Sequence, residues 1–201
     1  MLDLLESIGV KIQRTDHTIT LQASAINGTE LNPALCARVR TSILLAGPLV
    51  ARHGEAIISP PGGDVIGRRR LDTHFHGLNA LGVDIKIDES YHFKSSSLKG
   101  TEILLDEASV TATENILMAA TLAAGKTIIY NAACEPHVQD LSHLLNAMGA
   151  SIKGIGTNRI EVDGVECLHG AEHYVQPDYI EIGSFITCLL YTSPSPRDLY
   201  Q

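Results

Sequence analysis

One pattern is written three times in this chain of 201 residues. Leu4-Leu5-Glu6-Ser7-Ile8-Gly9-Val10-Lys11-Ile12 is matched by Leu78-Asn79-Ala80-Leu81-Gly82-Val83-Asp84-Ile85. Both are matched by Leu144-Leu145-Asn146-Ala147-Met148-Gly149-Ala150-Ser151-Ile152. Each reads as the end of an amphipathic helix, a glycine able to take the left-handed C′ position, and a strand. A second mark follows each time: Gly28-Thr29-Glu30, Gly100-Thr101-Glu102 and Gly170-Ala171-Glu172, whose glycines lie 72 and 70 residues apart. A third mark is a run of small residues at Ser42–Ala46, at Asn115–Ala120 and from Gly183 to Thr187. Solenoids and propellers repeat every roughly 20–50 residues, so this period is too long for them. The expectation is an α/β fold of three units packed as one domain. Each unit reads helix, strand, hairpin, strand, helix, strand, helix.

Local signals refine that reading. Asn32 before Pro33 is an N-cap with proline at the first helical position, and Gly54 ends the helix so begun. Pro48 is expected to kink it. Glu55 to Ser59 reads as a strand, Glu135-Pro136 opens a helix through His143 and Met148, and His17 to Leu21 alternates as a half-buried strand does. The domain is expected over residues 1–187, with its third unit incomplete and its start clipped. The segment 188–201, with Pro194 and Pro196, is expected to be non-native and resembles a translated sequencing adapter.

A net charge of −8 argues against nucleic acid or an anionic membrane as partner, so an anionic ligand needs a local basic cluster. No apolar run reaches the length of a membrane span, and Met1 to Glu6 is too short and acidic for a signal peptide. The expected setting is cytoplasmic. Cys36, Cys134, Cys167 and Cys188 form no CxxC pair and read as free thiols, the first three as core residues. The other histidines (His17, His53, His76, His92, His137, His143, His169, His173) show no metal spacing, and no metal is expected.

The basic cluster is Pro60-Pro61-Gly62-Gly63-Asp64-Val65-Ile66-Gly67-Arg68-Arg69-Arg70-Leu71-Asp72-Thr73-His74. Its glycines let backbone approach a ligand, and its arginines lie directly before a helix whose N-terminus is itself positive. A phosphate or diphosphate suits it, and a solvated basic turn is the plain alternative. It is no Walker A loop, because GxxxxGK[ST] is absent.

This loop resembles the substrate loop of the enolpyruvyl transferases that act on UDP-N-acetylglucosamine. Further matches stand in order: Arg40-Thr41-Ser42 with Gly47 to Arg52, Ser109 to Asn115, Asn131 to Pro136, and Pro177 to Glu181. The likeness runs from Met1 to about Thr187. It implies one domain of an inside-out α/β barrel, built from three βαβαββ-type repeats with helices inside and sheets outside. The family's N-terminal Lys-Asn pair and most of its second domain are expected to be missing, and that second domain is an expected partner.

The implied reaction moves the enolpyruvyl group of phosphoenolpyruvate to the sugar 3′-hydroxyl, the first committed step of peptidoglycan synthesis, with no cofactor. Protonation at C3 makes C2 electrophilic, the hydroxyl adds, and phosphate leaves. The resemblance makes Asp64, where the family usually has cysteine, the proton donor. Loop closure over substrate would raise its pKa and Arg68 to Arg70 would lower it. A carboxylate is a poorer nucleophile than a thiolate, so resistance to the cysteine-alkylating drug fosfomycin is expected of the complete enzyme.

By the same likeness Arg40 and Arg69 face phosphate or carboxylate groups. Arg69, Arg70, Leu71, Asp72 and Thr73 line the nucleotide. Glu107, Ala108, Ser109 and Val110 form a second nucleotide stretch, although the family often has lysine where Glu107 stands. His74 is expected to position rather than transfer a proton. Asp106 and Glu107 read equally as paired acids or as a strand-end turn. Two other readings stand beside this one. The related shikimate-pathway transferase shares the repeat but lacks this form of the loop and of the Ser109–Asn115 motif. A non-catalytic nucleotide-sugar-binding fragment is the other, since a site built between two domains cannot close with one.

Overall fold

The structure, a computed structural model, describes residues 1–16, 18–63, 67 and 69–193. Its elements follow the repeat. Helix α1 (Leu2–Ser7) leads into the antiparallel hairpin β1 (Lys11–Thr15) and β2 (Thr18–Gln22). Helix α2 (Pro33–Cys36), a 3-10 segment (Arg40–Leu45) and α3 (Ala46–His53) precede β3 (Glu55–Ile58). Helix α4 (Asp72–Ala80), β4 (Asp84–Ile87) and β5 (Tyr91–Lys94) complete that unit. The next unit is β6 (Glu102–Leu104), α5 (Val110–Ala120), β7 (Lys126–Tyr130), α6 (Pro136–Ala147), β8 (Ser151–Lys153) and β9 (Arg159–Asp163). A last helix, α7, spans Tyr179–Thr192.

The three sequence matches become three identical helix ends. Gly9, Gly82 and Gly149 all take left-handed φ, +96°, +94° and +100°. In each, the following amide reaches back five residues: Val10 N to Leu5 O, Val83 N to Leu78 O and Ala150 N to Leu145 O, at 3.0–3.1 Å. The glycine amide closes the inner bond, to Glu6, Asn79 and Asn146. This is the Schellman arrangement, and it requires a residue without the Cβ penalty at C′.

The Gly-Thr-Glu marks become strand entries. In the second unit Ile128 N donates to Thr101 O, and Glu102 begins β6 parallel to β7. In the first, Ile57 N donates to Thr29 O and Glu30 bridges β3 in parallel. The sheets therefore share one plan: β6-β7-β9-β8, and a single bridge at Glu30 followed by β3-β5-β4, with every pair after the first antiparallel. Around them the chain holds two complete βαβαββ units and parts of two more.

Helices lie inside. Helix α5 packs against α3, α4 and α6, and buries Ala112, Thr113, Asn115, Ile116, Leu117, Ala119 and Ala120. The sheets turn alternate residues inward, Ala56 and Ile58 from β3, Ile129 from β7, Ile160 and Val162 from β9. No helix of the described residues is long and apolar enough to cross a membrane.

Some expectations are corrected. The helix expected from Pro33 to Gly54 is three pieces. Asn32 caps α2 through Leu35 N, but the turn ends at Cys36. Pro48 sits in the first turn of α3, where its missing N–H removes no bond within that helix. Strand β2 forms, yet Ile19 and Leu21 stay exposed because no helix among the described residues covers that face. Cys36 is a core residue, whereas Cys134 and Cys167 are exposed; all four thiols are free. Helix α7 continues past Cys188 to Thr192. Residues from Pro194 onward, and His17, lie outside the described residues.

Candidate functional site

The site is assembled where α4 and α5 begin. Ser109 caps α5, its Oγ accepting from Ala112 N at 3.3 Å. Its carbonyl accepts from Thr113 Oγ1 at 2.7 Å, and Thr113 Oγ1 accepts from Ala133 N at 3.0 Å. The first turn of α5 is thereby fixed to the β7–α6 connection. As the sequence predicts, the arginine run stands directly before α4 and Ser109 directly before α5.

Arg70 ties the two helix starts together. Its Nε donates to both Asp72 oxygens, at 2.9 and 3.0 Å. Its Nη2 donates to Asp72 and to Asp106, and Nη1 lies 3.9 Å from Glu107 Oε2. Thr73 Oγ1 adds contacts of 3.3 Å to Asp106 and 3.1 Å to Glu107. The carboxylates at Asp72 and Asp106 raise the Arg70 pKa, and Arg70 in turn holds Asp106 below the usual carboxylate range. Arg70 is therefore already paired with carboxylates of the chain itself. Asp106 and Glu107 both face Arg70.

Arg40 and Arg69 differ. Arg40 Nη2 donates to the Arg70 carbonyl at 2.9 Å, which seats it against the loop. Desolvation lowers its pKa first, and the charge of Arg69 lowers it further. Among the described residues neither arginine pairs with a carboxylate. Arg40 and Arg69 are thus two cations close enough to repel each other, seated on the loop that leads into α4. The glycine loop enters here too, with Gly62 N bonded to Cys36 O and Gly63 N to Ala37 O. Asp64, the expected proton donor, lies outside the described residues, as do Val65, Ile66 and Arg68.

His74 is buried at the base of this region. Its Nε2 lies 3.2 Å from Thr111 Oγ1 and its Nδ1 lies 3.1 Å from Asn115 Nδ2. Burial, then the charge of Arg40, pushes its pKa down to about 4, so the ring is neutral at neutral pH. A neutral ring held between two side chains suits positioning. Leu71 and Val110, the first residue of α5, are both half-buried against the core. Thus Arg40, Arg70, Thr73, His74 and the α5 start are joined by hydrogen bonds of the chain itself, with Arg69 at electrostatic range.

Sequence reasoning missed Asn115 and Thr111 as site partners. The available signal was a lone amide inside an apolar small-residue helix. A cavity of about 630 Å³ lies elsewhere, at the C-terminal ends of α3 and α5, beside Val50, His53, Leu98, Leu122 and Val165. It contains none of the candidate site residues.

Known proteins place this architecture. The family model described as EPSP synthase (3-phosphoshikimate 1-carboxyvinyltransferase) matches residues 1–192. A UDP-N-acetylglucosamine 1-carboxyvinyltransferase of Bacteroides thetaiotaomicron is 59% identical over 194 residues, covering 92% of this chain and 45% of that protein. One of Treponema denticola is 49% identical over 207 residues, covering 99% of this chain and 49% of that protein. The chain spans about half the length of the curated relatives it matches. Among solved structures, the enolpyruvyl transferase NikO from Streptomyces tendae superposes with a TM-score of 0.77 at 24% identity, over 92% of this chain and 44% of that one. EPSP synthase from Acinetobacter baumannii gives 0.60 at 24% identity, over 84% and 39%. These two show a shared fold. Because the family match spans both complete units and the site between them, the chain belongs to the EPSP synthase family of enolpyruvyl transferases.

Proposed function

We propose that the complete protein transfers the enolpyruvyl group of phosphoenolpyruvate to the 3′-hydroxyl of UDP-N-acetylglucosamine, in the cytoplasm, and that this chain supplies the nucleotide-sugar side of the site. The carrying observation is the pair Arg40 and Arg69, unmatched by carboxylate among the described residues, on the loop before α4, with Arg70 linking that loop to the turn before α5. A diphosphate there relieves the arginine repulsion and meets helix amides. Leu71, Asp72, Thr73, Ser109 and Val110 shape the nucleotide side. Arg70 holds α4 and the β6–α5 turn at a fixed separation.

Asp64 is the proton donor to C3 of the enol. Excluding water from the closed loop favours its neutral form, which the first step needs. A second domain supplies the remaining contacts, so the chain alone binds nucleotide sugar without turnover. The relatives named for UDP-N-acetylglucosamine support this substrate over a shikimate phosphate.

The test is calorimetric titration of the chain with UDP-N-acetylglucosamine, and phosphate release by the complete reading frame. Arg40→Ala is expected to weaken binding about tenfold or more, as for a lost charged hydrogen bond. Asp64→Asn in the complete protein is expected to abolish release while binding persists, and the Asp64 enzyme is expected to withstand fosfomycin. Phosphate release at full rate by Asp64→Asn would remove the donor role.

A further inference from the structure

We propose, resting on the nucleotide-sugar reading of this site, that Asn115 is a positioning residue. It locks His74 in the neutral Nε2–H tautomer and so leaves the Thr111 hydroxyl as a hydrogen-bond donor to an anionic oxygen of the ligand. The argument starts from two backbone groups. Asn115 is fully buried in α5, its Oδ1 accepting from Gly47 N at 2.7 Å and its Nδ2 donating to Ile43 O at 3.0 Å. An amide N–H only donates and a carbonyl only accepts. Flipping the side chain would set oxygen against the Ile43 carbonyl and NH2 against the Gly47 N–H. The orientation is therefore forced.

The second Nδ2 hydrogen then faces His74 Nδ1 at 3.1 Å. Nδ1 must accept, so it carries no proton, and the ring proton is on Nε2. Nε2–H donates to Thr111 Oγ1 at 3.2 Å. With a lone pair so used, the Thr111 O–H is free to donate, and among the described residues it has no acceptor. Thr111 is in the first turn of α5, where the backbone amides also point out of the helix. Its hydroxyl adds a directed donor to the positive end that the ligand phosphates meet.

Charges around the ring support the neutral form. Arg40, from the 3-10 segment, opposes an imidazolium, and α5 presents Asn115 and Thr111, which carry no charge. The chain thus runs from backbone at Ile43 and Gly47, through Asn115 and His74, to Thr111, and crosses from the first unit to the second.

The test reads the ring itself. Long-range nitrogen–proton correlation on the full chain at neutral pH is expected to show His74 with a pyridine-like Nδ1 and a pyrrole-like Nε2. An Nδ1–H ring or an imidazolium would overturn the lock. Asn115→Asp keeps the bond from Gly47 N but puts an acceptor against Nδ1. It is expected to move the proton to Nδ1 and raise the His74 pKa, and an unchanged ring refutes the dependence on Asn115. If that variant does not fold, the unsubstituted chain's spectrum still decides the tautomer. Thr111→Val is expected to lower affinity for UDP-N-acetylglucosamine about tenfold with the His74 signals unmoved. Unchanged affinity removes the hydroxyl's role. Failure of the unsubstituted chain to bind this ligand defeats the functional reading and the Thr111 step together, while the tautomer result stands on its own.

Discussion

Helices α5 and α7 hold equivalent places in the repeat and meet opposite fates. Each begins at a side-chain cap, Ser109 Oγ on Ala112 N and Asp178 Oδ1 on Ile180 N. Each is apolar through most of its length. Yet α5 has Leu117 at 0% exposure, and α7 buries no residue, with Leu189 at 63% and Tyr191 at 90%. The difference is not in propensity. It lies in neighbours, since α5 is surrounded by α3, α4 and α6, whereas α7 meets α6 through the His137 ring, 5.1 Å from Tyr179. An apolar helix gains stability in proportion to the surface that other elements take from water.

The largest effect should separate the two helices directly. Leu117→Ala removes a fully buried side chain and is expected to cost about 2–5 kcal/mol in urea unfolding. Leu189→Ala removes an exposed one and is expected to stay within about 0.5 kcal/mol. Equal losses would mean that α7 is packed in solution and that the contrast is false.

The next effect belongs to the α5 side alone. His74 titrates near 4 in the fold, against an ordinary 6.5. Between those values the unfolded chain binds more protons, so the stabilisation is whole above 6.5 and is lost as pH falls toward 4. The shift corresponds to about 3 kcal/mol. Burial raises Glu114 above its ordinary value, which works in the opposite sense at the lower end of the window. Unfolding measured across this range in Glu114→Gln, with and without His74→Gln, isolates the histidine. A pH-independent difference between the two would show that His74 is not held neutral.

Parts of this molecule were legible because they are local. The C′ glycines Gly9, Gly82 and Gly149, the caps Asn32 and Ser109 and the arginine run before α4 each depend on a few adjacent residues, and all were readable. The repeat itself carried the fold. What escaped depends on distance in sequence. Nothing near Arg70 announces Asp106, 36 residues on, and nothing near Asn115 announces the Gly47 amide, 68 residues back. The exposure of Ile19 and Leu21 escaped for the same reason, since alternation says which residues share a face but not whether a helix will cover it.

The smallest predicted difference concerns the caps. Ser109→Ala leaves Ala112 N without its side-chain acceptor at the start of the helix that organises the core, and is expected to cost about 1 kcal/mol of global stability. Asp178→Ala removes the same kind of bond from α7. There the helix should fray locally, because its unfolding is not coupled to the buried core. Hydrogen exchange distinguishes the outcomes. Ser109→Ala is expected to speed exchange in α3, α4 and α5 together, and Asp178→Ala only in α7. If Asp178→Ala also released the amides of α5, the two helices would belong to one cooperative unit, and the exposed helix would contribute to the core after all.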